Sequence, residues 1–222
     1  MYSFVSNRDC MEVMKTFPDK YFDLGIADPP YGIKQSGGQT GGKGKLRNRI
    51  FNHGAIDSWD FKPPQEFFTE LFRVCENVII FGGNYFNLPP SRCFVCWDKV
   101  QPWKNFSQCE FIYTSFKGPA KLFRMDNRIK GKIHPTQKPV ALYKYLLETF
   151  AKPGDKIFDP MMGSQSSRIA AYMLGFDYTG LEIDTDFYSS GNKRFEEWTT
   201  PKPVDDSLPK LSEKDVQRKV GR

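Results

Sequence analysis

The sequence predicts an α/β fold, with a mixed, mostly parallel β-sheet and helices on both of its faces. Apolar runs of strand length alternate along the chain with amphipathic stretches of helix length. Several apolar runs end in Gly or Pro turns, as expected where loops gather at the carboxyl ends of parallel strands. The 222 residues suffice for one sizeable core.

Each element is predicted from its own residues, in chain order. In the first half, two prolines at 63 and 64 open a helix with an apolar stripe, and the alternating stretch 109–116 predicts a strand near the sheet edge. The predicted elements of this half are strands at 2–5, 22–27, 78–81, 93–97 and 109–116, and helices at 11–16 and 63–75.

In the second half, Pro139 stands in the first turn of a helix whose apolar residues share one face. From residue 199 the pattern gives way to prolines and mixed charges, which predicts a flexible tail over 199–222 and one domain over 1–198. The predicted elements are the helix from 139, strands at 156–158 and 178–181, and helices at 166–174 and 184–198.

The most informative tetrapeptide is Asp28-Pro29-Pro30-Tyr31, directly after the predicted strand Phe22–Ala27. Two prolines prevent both a longer strand and an immediate helix, so these residues form a stiff loop at a strand's carboxyl end. A carboxylate, a free carbonyl and an aromatic ring suit an exocyclic amine on a flat base. An ordinary Asx-Pro turn would contain the same residues, so both interpretations stay open at this point.

A second motif, Asp159-Pro160-x-x-Gly163-Ser164, follows one predicted strand and precedes a helix. Gly163 lets the backbone approach a ligand, and the helix start offers free N–H groups. Glu182 ends the next strand, where an acidic residue accepts hydrogen bonds from ribose hydroxyls in nucleotide-binding folds. A nicotinamide dehydrogenase would need three glycines in this turn, and one is present.

Together these motifs resemble the amino-group DNA methyltransferases, which transfer a methyl group from S-adenosylmethionine to adenine N6 or cytosine N4. Asn7-Arg8-Asp9-Cys10 and the stretch His-Pro-Thr-Gln-Lys-Pro at 134–139 fit the same family. The catalytic motif comes first and the cofactor motif last, as in the beta class. The resemblance covers about residue 3 to residue 198. It implies a Rossmann-like, S-adenosylmethionine-dependent methyltransferase fold.

The resemblance also implies residue roles. The catalytic residues would be Asp28, Pro29, Pro30 and Tyr31, with Asp28 and the Pro29 carbonyl accepting the amine N–H groups and the Tyr31 ring stacking on an extruded base. Because the aromatic ring alone would stack on the base, we expect Tyr31→Phe to have only a mild effect on methyl transfer. Asp9 and Cys10 would lie at the adenine of the cofactor, and Thr136 and Lys138 near its methionine carboxylate. The expected cofactor-binding residues are Asp9, Cys10, Asp28, Thr136, Lys138, Asp159, Pro160, Gly163, Ser164, Ser166 and Glu182.

One position departs from the family pattern. After Gly163-Ser164 the family usually has another small glycine and then threonines, whereas this chain has Gln165 and Ser166. Serine can replace threonine as a hydrogen-bonding partner. The side chain of Gln165 must point away from the cofactor, and if it does not, cofactor binding is weakened or lost.

The formal charge of +6 is concentrated in two stretches, which predicts a polyanionic partner, namely DNA. These stretches lie in predicted loops at 32–56 and 117–133, which stand in place of the large target-recognition domain that the family usually carries. The candidate DNA-binding residues are Lys43, Lys45, Arg47, Arg49, Arg124 and Arg128.

Composition argues against several other classes. No apolar run is long enough to span a membrane, and the start of the chain does not resemble a signal peptide. Cys93 and Cys96 have the spacing of a zinc pair, but they lie in a predicted strand and no second ligand pair follows, so we expect no metal. Five scattered cysteines fit a reducing compartment, so we expect a cytoplasmic protein. The family resemblance implies that it is encoded by a bacterium or a phage.

Several alternatives remain open from sequence. Asp at the first motif position favours adenine N6 over cytosine N4. A protein-glutamine methyltransferase would resemble Asn-Pro-Pro-Tyr instead. A non-catalytic DNA-binding homologue, with Gln165 as its lesion, is the rival from another class. The recognition sequence, a homodimer and an accompanying restriction endonuclease cannot be read from these residues.

Overall fold

The computed structural model describes residues 2–33, 61–102, 107–128, 131–134 and 136–200. Eight strands form one sheet in the order β1-β8-β7-β2-β3-β5-β4-β6. The strands are β1 Ser3–Ser6, β2 Phe22–Ala27, β3 Cys75–Phe81, β4 Phe94–Asp98, β5 Cys109–Thr114, β6 Lys121–Arg124, β7 Lys156–Asp159 and β8 Asp177–Leu181. The helices are α1 Cys10–Met14, α2 Gln65–Val74, α3 Val140–Phe150, α4 Ser166–Leu174 and α5 Thr185–Thr199, with a 3₁₀ turn at Gly83–Tyr85.

Strand direction decides which loops meet. β1, β8, β7, β2 and β3 pair in parallel, so their carboxyl ends lie at one edge of the sheet, hereafter the carboxyl edge. β5 runs antiparallel between β3 and β4, and β6 is parallel to β4. The end of β4 and the start of β5 therefore also lie at the carboxyl edge.

Apolar side chains cover both faces of the sheet. One cluster packs α1 and α2 on the first face, with Met14, Phe67 and Leu71 at its centre. The other packs α3 and α4 on the second face, around Leu146 and Ala170. The predicted fold class, a mostly parallel sheet with helices on both faces, is confirmed.

The passage from α2 to β3 needs no loop, which the prediction of a helix through residue 75 missed. Val74 is the last helical residue, and Cys75 already has extended dihedrals, with φ −113° and ψ 140°. Cys75 is fully buried and packs on Gly25 of β2, where an added Cβ would lie 2.7 Å from the Cys75 sulfur. Close contact with the neighbouring strand therefore fixes where the helix ends.

Two predictions about the antiparallel part of the sheet were wrong. The strand predicted near the sheet edge, β5, is interior and pairs with both β3 and β4. The predicted loop 117–133 contains the edge strand β6, which has basic residues at both ends and an exposed Leu122. The Phe123 ring packs on Tyr145 of α3, with centroids 4.7 Å apart, and so covers one side of β6.

The loop 32–56 is described only up to residue 33, and the predicted tail only up to residue 200, so most of both predictions lies outside the described residues. Within the described ranges, no helix is long and apolar enough to cross a membrane. The same ranges contain no group of three His, Cys, Asp or Glu side chains placed to hold a metal ion.

Candidate active site

The carboxyl edge gathers the motifs that the sequence singled out. Asp28 follows β2, the turn that ends in Ser164 follows β7, and Glu182 follows β8. Asp9 lies beyond the end of β1, one strand further along the edge. Parallel pairing thus brings residues more than 150 positions apart in the chain to one end of the sheet.

Asp28 does not stand alone in this site. The Lys138 ammonium donates to both of its carboxylate oxygens, at 2.7 Å each. The two side chains are 13% and 7% exposed, so the ion pair is largely screened from water. Lys138, which the family resemblance placed near a cofactor carboxylate, is bound to the catalytic-motif carboxylate in this structure.

Tyr31 connects Asp28 to a second carboxylate. Its hydroxyl lies 2.7 Å from Glu110 Oε1 and 3.0 Å from Asp28 Oδ1. One phenol proton can serve only one strong acceptor at a time, and the shorter distance favours Glu110. The ring stacks on Tyr85 with centroids 4.9 Å apart and planes at 17°, so one aromatic face is already covered by protein.

Gly82 makes room for that ring. It directly follows β3 and lies in the left-handed region, with φ +63°, and an added Cβ would lie 2.5 Å from Tyr31 Cε1. Any larger residue would displace Tyr31 and strain the backbone together.

Glu110 and Lys99 complete a group that we call the charged cluster: Asp28, Tyr31, Lys99, Glu110 and Lys138. Lys99 pairs with Glu110 Oε2 at 2.7 Å, and Lys138 lies 3.3 Å from Glu110 Oε1. Two ammoniums and two carboxylates therefore alternate in a nearly buried set with no net charge. Each charge needs its neighbours, because an unpaired buried ion is costly.

The pKa values follow from burial and these neighbours. Burial raises the pKa of Asp28, against the opposing effect of Lys138. Burial would also raise the pKa of Glu110, but the ammoniums of Lys138 and Lys99 hold it at about 2. Burial lowers and the two carboxylates raise the pKa of Lys138, with a net rise. Glu110 and Lys138 are thus ionised at neutral pH.

Sequence reasoning missed Lys99 and Glu110. They meet because β4 ends and β5 begins at the carboxyl edge, where the Lys99 N–H donates to the Gln108 carbonyl at 2.9 Å. One signal was available: Glu110 is the only charged residue in the otherwise uncharged strand Cys109–Thr114. A buried acid in such a strand needs a cationic partner.

The turn from Asp159 to Ser164, hereafter the glycine turn, forms the second half of the site together with Glu182. Gly163, with φ +45°, donates its N–H to Glu182 Oε2 at 2.9 Å, and the Asp184 N–H donates to Oε1 at 2.9 Å. Each carboxylate oxygen keeps a further lone pair for a ligand hydroxyl. Burial raises the pKa of Glu182, which these backbone donors partly oppose.

Asp159, Asp9 and Cys10 take structural positions around this turn. Asp159 is 1% exposed, accepts from the Met161 N–H at 3.0 Å, and has a pKa that burial raises to about 7. Asp9 caps α1 by accepting from the Met11 N–H at 2.7 Å. Burial, with the nearby Asp9 charge, raises the pKa of the Cys10 thiol to about 12, so this thiol stays protonated.

The segment before α3 lies over the glycine turn. His134 approaches Gly163, since an added Cβ there would lie 3.5 Å from its Nε2, and its ring packs at 4.2 Å on Phe187. The exposed Thr136 contacts His134 Nδ1 through its hydroxyl at 3.2 Å. Ser166 donates to the Lys138 carbonyl at 2.9 Å, which ties this segment to the start of α4.

Gln165 packs against α5. Its amide donates to Asn192 Oδ1 at 3.1 Å and to the Tyr188 carbonyl at 3.3 Å, and Arg168 donates to its Oε1 at 2.8 Å. Gly191 leaves the space, because a Cβ there would lie 2.7 Å from Gln165 Nε2. The side chain thus has a place of its own against this helix.

The candidate DNA-binding residues are only partly described. Arg124 is exposed at the end of β6 and pairs with Asp98 at 3.3 Å. Arg128 is exposed and pairs with Asp126 two residues before it, with Nε–Oδ2 at 2.6 Å. Lys43, Lys45, Arg47 and Arg49 lie outside the described residues.

Comparison with known proteins gives concordant results. Residues 97–193 match a family model described as DNA methylase. A Type II methyltransferase of Haemophilus influenzae, M.HinfI, is 28% identical over 90% of this chain and 70% of its own length.

Among solved structures, the M1.HpyAVI–SAM complex superposes with a TM-score of 0.56 at 17% identity, over 86% of this chain and 98% of that one. The cytosine-N4-specific PvuII DNA methyltransferase superposes with a TM-score of 0.60 at 13% identity, over 98% and 91%. At these identities the structural likeness establishes the fold.

Proposed function

We propose that this chain is an amino DNA methyltransferase, which transfers the methyl group of S-adenosylmethionine to the exocyclic amine of a base in DNA; the DNA methylase match over residues 97–193 and the similarity to M.HinfI support this proposal. We further propose adenine N6 as the acceptor. The observation that carries the proposal is the position of Asp28 and Tyr31 at the carboxyl edge, one strand away from the turn that Glu182 holds.

The residues of the second half fit the cofactor. Glu182 offers two carboxylate lone pairs beside a left-handed Gly163, an arrangement that suits ribose hydroxyls against a closely approaching backbone. His134 and Thr136 lie over the same turn. When bound there, S-adenosylmethionine would supply an electrophilic methyl group.

Asp28 and the Pro29 carbonyl would position the acceptor. An exocyclic amine is a weak nucleophile because its lone pair is delocalised into the ring. If both N–H groups donate to the protein, the nitrogen pyramidalises and its lone pair is free to form the new N–C bond. The S–CH3 bond of the bound cofactor would break as that bond forms, and S-adenosylhomocysteine would leave. The nitrogen then becomes cationic, the Asp28 carboxylate stabilises that charge, and the extra proton leaves to water.

The choice of adenine rests on Asp28 as the first residue of the motif. Cytosine N4 is the alternative within the same chemistry. A non-catalytic homologue is disfavoured because the side chain of Gln165, the proposed lesion, packs on α5 against Gly191 and Asn192. Arg124 and the basic residues from Lys43 to Arg49 would contact DNA phosphates.

The test is to express the chain in a host without DNA methylation, digest the DNA and separate the nucleosides by mass spectrometry. We expect N6-methyladenine, and none from the Asp28→Ala variant. N4-methylcytosine would overturn the base assignment. If neither nucleoside forms and calorimetry shows no heat of S-adenosylmethionine binding, the chain is a non-catalytic homologue.

A further inference from the structure

The catalytic carboxylate is already occupied. Lys138 donates to both oxygens of Asp28 at 2.7 Å, in the positions where the proposed mechanism needs an amine N–H. A base amine entering this site must therefore displace an ammonium from Asp28.

Electrostatics requires this displacement of Lys138 from Asp28, in addition to geometry. The acceptor nitrogen becomes cationic as the N–C bond forms, and a lysine ammonium on the same carboxylate would oppose that charge. The side chains of Asp28 and Lys138 are only 13% and 7% exposed to solvent. In so buried a site, two like charges at hydrogen-bond distance strongly destabilise each other. Lys138 must therefore have another anion to which it can move.

Glu110 is that anion. Its Oε1 lies 3.3 Å from Lys138 Nζ, so the ammonium needs only a small rotation to leave Asp28 for Glu110. Glu110 also accepts the Tyr31 hydroxyl at 2.7 Å, which turns the phenol proton away from Asp28. Lys99 holds the other oxygen of Glu110 at 2.7 Å and so fixes the carboxylate in place.

We propose that Glu110 is a positioning residue for methyl transfer: it receives the Lys138 ammonium when the base amine takes its place on Asp28. Lys138 then serves as a placeholder that keeps Asp28 paired until the target base enters. This inference rests on the proposed function.

The experiment compares Glu110→Gln with Glu70→Gln. Glu70 is a matched control, because it also forms an ion pair, with Arg73 at 2.8 Å, but on α2. At pH 7.5 and saturating substrates, Glu110→Gln should lower kcat about 10- to 100-fold, the effect of one charge-assisted hydrogen bond, with KM for the cofactor unchanged. Glu70→Gln should leave kcat unchanged.

A pH profile separates positioning from a merely structural role. The groups that face Lys138 are Asp28, Glu110, Tyr31 and His134, and the two carboxylates raise its pKa. Without Glu110, Lys138 releases its proton at lower pH and frees Asp28. The kcat deficit of Glu110→Gln should therefore shrink as pH rises from 7 towards 10, whereas a structural defect would persist at every pH.

A second variant keeps the test sharp if Glu110→Gln folds poorly. Glu110→Asp keeps a carboxylate at this position of β5 that can still receive the Lys138 ammonium, so it should recover at least part of the kcat lost in Glu110→Gln. A loss as large as that of Glu110→Gln, or a Glu110→Gln deficit that ignores pH, would overturn the inference. If wild type transfers no methyl group at all, the proposed function itself has failed.

Discussion

At the scale of single residues, Tyr31 makes one contact through its ring and another through its hydroxyl, and the sequence motif alone does not show that there are two. The ring stacks on Tyr85, and the hydroxyl donates to Glu110 inside the charged cluster. The motif predicts that the ring stacks on an extruded base, and from that role alone Tyr31→Phe should have a mild effect on methyl transfer. The structure adds a role in stability, because removal of the hydroxyl leaves Glu110 with one donor fewer.

We therefore predict that Tyr31→Phe lowers the free energy of unfolding by about 1.5–3 kcal/mol, as for a hydrogen bond to a charged group. Urea denaturation measures the change. Tyr85→Phe is the control, because it keeps the stacked ring and lies outside the cluster. If the two variants are equally stable, the hydroxyl does not hold Glu110.

The limits of sequence reasoning are clear in the same cluster. Asp28 could be found because its neighbours, two prolines and a tyrosine, act locally on the backbone. Its partner Lys138 is 110 positions away, and its contact depends on how the segment before α3 crosses the carboxyl edge. Glu110 and Lys99 depend on an antiparallel pairing that no local pattern specifies.

At the scale of elements, the packing of Gln165 on α5 beside Gly191 explains how the chain accommodates a glutamine where the family usually has a glycine. Gln165 has a left-handed φ of +57°, which costs a non-glycine residue about 1–2 kcal/mol. Three hydrogen bonds to Asn192, Tyr188 and Arg168 offset it, at about 0.5–1.5 kcal/mol each. The half-buried Arg168 and Asn192 would each lose a hydrogen-bond partner without Gln165.

We predict that Gln165→Gly lowers the thermal midpoint and leaves the dissociation constant for S-adenosylmethionine unchanged. The reason is that the side chain holds α5 and leaves the glycine turn accessible. Differential scanning fluorimetry and calorimetry measure the two quantities. Tighter cofactor binding by the variant would mean that Gln165 obstructs the site after all.

Element boundaries were predictable where apolar periodicity was long, as in α4, whose predicted bounds match the structure. The edge strand β6 was not predictable, because four residues with basic ends show no clear hydrophobic alternation. Its pairing partner β4 is also distant in the chain. The position of β5 inside the sheet was equally hidden. An alternating strand indicates one covered face, and it does not indicate which strands lie on either side.

At the scale of the whole molecule, Asp159 couples stability to pH. Its folded pKa of about 7 lies above the ordinary aspartate value of 3.8, because burial disfavours the charged form. Its contribution to stability is therefore fully present below the ordinary value and is lost as pH rises through about 7.

We predict that Asp159→Asn reduces the loss of stability between pH 5 and pH 8, because the amide keeps an acceptor for the Met161 N–H without a titrating charge. Chemical denaturation at both pH values measures the difference. Asp155→Asn, a change in an exposed turn, should leave it unaltered. An identical pH dependence in Asp159→Asn and wild type would show that Asp159 is ionised throughout.

The charge distribution predicts how the molecule holds DNA. Replacing Lys43, Lys45, Arg47 and Arg49 with alanine should weaken DNA binding across sequences. It should flatten the slope of log affinity against log salt by about 0.9 per lost phosphate contact. Lys152→Ala with Lys156→Ala, at the edge of the sheet opposite the carboxyl edge, is the control. An unchanged slope in the fourfold variant would assign phosphate binding elsewhere.

The central claim is methyl transfer to a base at Asp28, and its most direct measurement is the transfer of labelled methyl from S-adenosylmethionine to unmethylated DNA. Wild type should label the DNA. Asp28→Ala should retain its fold, because Glu110 still pairs with Lys138, and should bind the cofactor, yet transfer less than about 5% as much methyl. A folded Asp28→Ala protein that labels DNA at a rate near wild type would contradict the account.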